Sequence, residues 1–197
     1  MQLGRGDVLL VEHILTETPD CNVMIEHGCG PGLQTIYWAV AMAIRQGDVC
    51  VYNARRPTYS KYWPANVKLY RDPISAPCIA DVADGRPAII IVDGGDRLPI
   101  VSECSRTAPI GSTLLIHDWI PHRYPDFVEE ASNSLMQYGW STCNTLTAAA
   151  LGSRFVVWRR IREHKEGPDH GGDWCEGSQH NDNHGGEWCD GRDLTIE

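Results

Sequence analysis

The residues able to do chemistry gather at a few turns of the chain. Residues 26–32 read E-H-G-C-G-P-G, with Gly28, Gly30 and Gly32 at alternate positions. Glycines so spaced let the backbone turn sharply and let a ligand approach without interference from Cβ atoms. The spacing differs from the dinucleotide fingerprint G-x-G-x-x-G, because the third glycine comes one residue early. Asp93-Gly94-Gly95-Asp96-Arg97 and His117-Asp118-Trp119 place carboxylates and an imidazole at two further turns. An imidazole titrates near neutrality, so His117 is a candidate general base. Arg55-Arg56 is a pair that could grip the 2′-phosphate of NADP. Near the end, HGGDWCEG at 170–177 recurs as HGGEWCDG at 184–191. With His180, this repeat brings five ligand-type side chains together: His170, Cys175, His180, His184 and Cys189. Zn²⁺ takes four such ligands, yet the spacing H-x4-C-x4-H-x3-H-x4-C is that of no standard finger. A Cys175–Cys189 disulfide, a flexible acidic tail and a partner-binding segment are the alternatives.

Turns of this kind need rigid elements behind them. Apolar spacing predicts helices over residues 7–16, 35–46, 98–107 and 126–138. Short apolar runs predict strands over 23–25, 49–52, Val67–Tyr70, Ala88–Val92, Thr113–Ile116 and 155–158. The run AIIIV at Ala88–Val92 has no polar alternation, as expected of a central parallel strand covered on both faces. Strand and helix alternating over short connections make an α/β fold with helices on both faces of a mostly parallel sheet. Ligands of such sheets bind at the carboxyl ends of strands, where the strand order reverses. The glycine turn and both acidic turns follow strands.

The pattern E-x-G-x-G-x-G after the first strand resembles the first motif of class I S-adenosylmethionine-dependent methyltransferases. The turns at Asp93 and at His117-Asp118, with Pro125-Asp126-Phe127 beyond, look like the catechol-type and the antibiotic- or sugar-modifying O-methyltransferases. The likeness spans residues 23–158 and is one of motifs. It implies a single Rossmann-like, doubly wound domain over residues 1–162, with an antiparallel last strand. It implies S-adenosylmethionine as cofactor and a small-molecule acceptor. Carried over by position, Glu26, His27, Gly28, Cys29, Gly30 and Gly32 surround the methionine part, with Asp93 close to the cofactor. Asn53 stands where the family has an acid for the ribose hydroxyls, and Asp72 lies near the adenine. The divalent-ion ligands would be Asp93, His117 and Asp118. Mg²⁺ prefers oxygen donors, and a histidine among them favours Mn²⁺, Fe²⁺ or Zn²⁺. Where the catechol enzymes carry a lysine base this chain has Asp96, so the implied catalytic set is His117, Asp118 and Asp96. If no ion binds, Asp93 touches cofactor and Asp118 caps a turn.

Composition limits the partners. The formal charge of the 197 residues is -9, which argues against a nucleic-acid surface. From Gly167 onward eight acids stand against Arg192 alone, so the acidity belongs to the tail. Residues 163–197 are therefore read as an appendage to the domain. No apolar run reaches the roughly 20 residues of a membrane span, and the start lacks the pattern of a signal peptide. Six of the eight cysteines are scattered singly, as expected of reduced thiols in the cytoplasm. The aromatics Tyr59, Tyr62, Trp63, Trp119 and Tyr124 suit an acceptor pocket, the core, or contacts within a homodimer. Two rival functions remain: an NADP-binding oxidoreductase, and a non-catalytic Rossmann-like subunit whose tail recruits a partner.

Overall fold

The computed structural model describes residues 4–71 and 78–162. Asp72 and the tail ligands His170, Cys175, His180, His184 and Cys189 lie outside them. Seven strands form one sheet: β1 (Val23–His27), β2 (Asp48–Tyr52), β3 (Val67–Tyr70), β4 (Ala88–Val92), β5 (Thr113–Ile116), β6 (Trp140–Cys143) and β7 (Val156–Arg160). Their order is β3-β2-β1-β4-β5-β7-β6. Strands β1 to β5 pair in parallel, and β7 runs antiparallel to both β5 and β6. The expected mostly parallel sheet with an antiparallel last strand is what forms.

Three helices cover each face. On one side α1 (Arg5–Glu17), α2 (Leu33–Ile44) and α6 (Thr145–Leu151) bury Leu10, Ile14, Trp38, Met42 and Ala148 against Met24, Val51, Ile89 and Ile91. On the other, α3 (Ile79–Ala83), α4 (Arg97–Thr107) and α5 (Pro125–Gln137) bury Ile79, Val101, Cys104 and Leu135 against Ile25, Ile90, Leu114 and Trp158. Alternate residues of β4 thus feed opposite cores, and all five of its residues are buried. Each fully buried Leu or Ile contributes about 1.5–3 kcal/mol, so this two-sided burial holds the central strands in register.

Some boundaries differ from expectation. Strand β1 runs two residues further, to His27, because its last residues still pair with Val51, Tyr52, Ile91 and Val92. Helices α1 and α2 each begin two residues early, at Arg5 and Leu33. The sequence reading omitted α3, β6 and α6, which have only five, four and seven residues.

The chain winds from β1 outward to β3 and then crosses back to place β4 on the other side of β1. The order therefore reverses between β1 and β4, which opens a crevice at their carboxyl ends.

Candidate active site

Two backbone bonds tie the strand ends around that crevice. The Gly28 N–H donates to the Tyr52 carbonyl at 3.0 Å, and the Asp93 N–H donates to the His27 carbonyl at 2.8 Å. Gly28 has φ +84°, and a Cβ there would stand 1.6 Å from the Asp93 carbonyl oxygen. Only glycine lets the first loop lie so close to the β4 end. Above it is a cavity of about 530 Å³ lined by His27, Gly28, Gly30, Tyr52, Asn53, Ala54, Asp93, Gly94, Gly95 and Ile100. His27 stacks on Tyr52 and Tyr52 on Tyr70, at centroid distances of 4.5 and 5.1 Å, and the first two of these rings line the cavity. Burial pushes His27 down to about 4, so it is neutral at ordinary pH.

Of the candidate cofactor residues, His27, Gly28, Gly30, Asn53 and Asp93 line this cavity. Glu26 lies beneath it, 4% exposed, where it accepts a hydrogen bond from the Thr35 hydroxyl at 2.7 Å. Burial, helped by the nearby Asp93 charge, raises Glu26 to about 7. Cys29 and Gly32 do not line this cavity. The Cys29 side chain turns into the core, where burial and Glu26 push its thiol up to about 12. Gly32 is the N-cap of α2, and a Cβ on it would meet the Trp63 ring at 2.7 Å. Its space is filled by the protein itself. The Asn53 amide donates to the Arg55 carbonyl.

The second group forms at the ends of β4 and β5 around His117, which is fully buried. Its Nδ1 lies 3.1 Å from Asp93 Oδ1 and 3.6 Å from Asp118 Oδ2, and its Nε2 lies 3.5 Å from Asp7 Oδ2. These are ion-pair contacts. Neither ring nitrogen makes a well-aligned hydrogen bond. Burial alone would lower the imidazole, but Asp7, Asp93 and Asp118 outweigh it and raise His117 to about 9. His117 is thus sealed from solvent with three carboxylates around its ring. Arg154 braces the cluster, with Nη1 3.1 Å from Asp118 Oδ1. Arg97 donates to the His117 carbonyl and stacks its guanidinium 5.0 Å from the Phe127 ring. Asp118 adopts φ +52°, a left-handed conformation that non-glycine residues seldom take, so this turn is held by its surroundings.

Asp7 was missed in the sequence, because nothing in its local pattern separates it from an ordinary first-turn acid. Asp96 is exposed at the N-cap of α4 and makes no side-chain capping bond. Arg56 and Arg71, with Trp63, line a separate cavity of about 420 Å³. Trp119 packs edge-on against Phe127 and Trp158. Trp63 donates to the Gly32 carbonyl at 2.8 Å. Both indoles pack, and both also border open space: Trp63 lines the cavity of about 420 Å³ and Trp119 another of about 650 Å³. Among the described residues no three or more His, Cys, Asp or Glu side chains form a ready-made ion cage.

No protein-family model matches the chain, and no curated protein matches it. Solved structures do. The CmcI-N160 apo structure superposes with TM-score 0.68 at 18% identity, over 82% of this chain and 73% of that one. CmcI-D160 with Mg and SAM gives 0.62 at 19%, over 82% and 74%. CmcI-N160 with SAH gives 0.59 at 18%, over 82% and 83%. The chain shares the α/β fold of CmcI. At these identities the likeness is one of fold, and chemistry must be argued from the site. In this fold the crevice, the glycine loop and the His117 group share the carboxyl end of the sheet. No described helix is long and apolar enough to cross a membrane.

Proposed function

We propose that the chain is an S-adenosylmethionine-dependent methyltransferase acting on an oxygen of a small molecule. The observation that carries this is the glycine wall of the crevice, where Gly28 and Gly30, both at positive φ, face a 530 Å³ cavity at the reversal of strand order. The cationic cofactor, with its ammonium and sulfonium, suits a site that holds Asp93 at its wall and Glu26 beneath. CmcI, which shares the fold, has been solved with SAM and with SAH. In the transfer the acceptor oxygen's electron pair forms the new C–O bond as the C–S bond breaks. S-adenosylhomocysteine is left, and the hydroxyl proton passes to solvent. The protein's share is to hold the two reactants in line. The six described cysteines are free thiols, which supports a cytoplasmic setting.

A divalent ion is part of the reading. One CmcI structure holds Mg with SAM. Two donors on one small ion stand on the order of 3 Å apart, and Nδ1 of His117 has carboxylate oxygens at 3.1 and 3.6 Å. By position the ligands would be Asp93, His117 and Asp118, which would have to draw together to hold an ion, since among the described residues they form no ion cage. When bound, the ion would lower the acceptor hydroxyl's pKa. Arg97 and Arg154 orient the residues of this set from outside.

Calorimetric titration of the chelated protein with S-adenosylmethionine, and in parallel with NADPH, tests the reading. We expect micromolar binding of the first alone, abolished in Gly30→Val. Binding of NADPH alone would replace it with the oxidoreductase. Binding of neither would leave the fold with a non-catalytic role.

A further inference from the structure

We infer that the cavity of about 420 Å³ beside β3 is a binding site for a small phosphorylated molecule, with Arg56 and Arg71 gripping its phosphate. The local charge is opposite to that of the whole chain. Between Asp48 and Asp72 stand Arg55, Arg56, Lys61, Lys68 and Arg71 and no acid, in a protein of formal charge -9. Lys68 is paired with Asp48 at 3.3 Å. Arg56 and Arg71 make no ion pair among the described residues.

The fold gathers these two cations at one recess. Val67 and Leu69 share one face of the edge strand β3, and Arg71 continues the alternation just past its end. All three line the cavity, together with Arg56, Ser60 and Trp63 from the connection between β2 and β3. That connection is tied to the glycine loop: the Tyr59 N–H donates to the Pro31 carbonyl at 3.0 Å, and the Trp63 indole to the Gly32 carbonyl at 2.8 Å. The Arg56 Nε donates to the Ser60 hydroxyl at 3.2 Å, which holds the guanidinium and leaves its two terminal nitrogens for a ligand. A guanidinium fork matches phosphate oxygens, and such charge-assisted bonds are roughly twice as strong as neutral ones. An arginine solvated on a convex surface needs no walls. Here Trp63, Val67 and Leu69 supply apolar ones, and the volume lies in the roughly 300–1,000 Å³ range of small-molecule sites. The occupant therefore has an organic body beside its phosphate. None of these residues lines the crevice, so the proposal stands whatever cofactor the crevice takes.

The test is calorimetric titration of the full-length protein at low salt with phenyl phosphate, inorganic phosphate and phenol. Phenyl phosphate should bind, inorganic phosphate should bind more weakly for want of a body, and phenol should give no heat at the same concentrations. Arg56→Gln and Arg71→Gln should each weaken phenyl phosphate roughly tenfold or more. Arg56→Lys keeps the charge without the fork, so it should recover only part of the loss. Arg55→Gln removes an equal charge from a residue that does not line the cavity, and it should stay within about twofold of wild type. No binding of phenyl phosphate, or equal binding of phenol, overturns the proposal. So does an equal loss in Arg55→Gln, which would mean diffuse charge and no site. If a short single-stranded RNA displaces phenyl phosphate and all three Arg→Gln variants weaken it alike, the face is a nucleic-acid surface and the proposal falls. A second measurement needs no arginine variant. In ¹⁵N spectra the Trp63 indole signal, assigned by its absence in Trp63→Phe, should shift as phenyl phosphate is added. A fixed Trp63 signal while others move would place the ligand elsewhere and overturn the proposal.

Discussion

At the scale of single residues, the buried carboxyl of Glu26 makes the clearest demand. Its pKa rises from 4.5 to about 7 because burial strips water from the charged form. The native state therefore holds a proton that the unfolded state has lost between those values. The contribution of Glu26 to stability is greatest below pH 4.5 and is lost as pH rises through 7, by about 3 kcal/mol in all. Glu26→Gln keeps an acceptor for the Thr35 hydroxyl and cannot ionise. We expect the variant to match wild type near pH 5 and to exceed it by about that amount at pH 8, measured by urea denaturation at both values. Equal pH slopes for the two proteins would mean that Glu26 is ionised and solvated, contrary to its burial. The motif E-x-G-x-G-x-G disclosed that an acid stands here, but not its environment. Thr35 lies nine residues on, and only the folded loop brings its hydroxyl to Glu26. Asp7 was illegible for a stronger form of the same reason, since its partner Ser153 is 146 residues away.

Elements were legible in proportion to their length and burial. The isoleucine run of β4 and the apolar helix α2 carry their patterns over five and twelve residues, enough to outweigh local exceptions. Strand β6, with the sequence WSTC, buries only Trp140 and forms because β7 offers it an edge. That condition lies outside its own four residues. The contact between the β1 and β4 ends is likewise tertiary, and it yields a paired prediction. Gly28→Ala would drive a Cβ to 1.6 Å from the Asp93 backbone, so the β4 end must move. Gly94 has φ +88° with nothing within 4 Å of its Cβ position. Gly94→Ala should therefore cost only the roughly 1–2 kcal/mol of a left-handed alanine, and the protein should remain folded. Gly28→Ala should melt well below Gly94→Ala and lose S-adenosylmethionine binding. Equal melting temperatures for the two variants would show that the strand ends are not locked together as described.

For the whole molecule the question is how much of the chain the domain needs. Residues 163–197 contain ten acids against Lys165 and Arg192, a net -8 out of -9, so residues 1–162 carry only -1. Among the described residues both cores draw on residues no later than Trp158, and the last strand ends at Arg160. A chain ended at Arg162 keeps every strand pairing and every residue of the crevice. We expect it to melt within a few degrees of the full chain and to bind S-adenosylmethionine within about twofold, because the two core clusters of the described residues stay whole. Its solubility should fall near neutral pH, where a nearly uncharged surface no longer repels its copies. Circular dichroism melts, calorimetry and light scattering on the two lengths decide the matter together. A loss of fold or cofactor affinity would make the acidic repeat an integral part of the catalytic unit. Unchanged melting and binding with increased self-association would assign its charge to keeping copies of the protein apart.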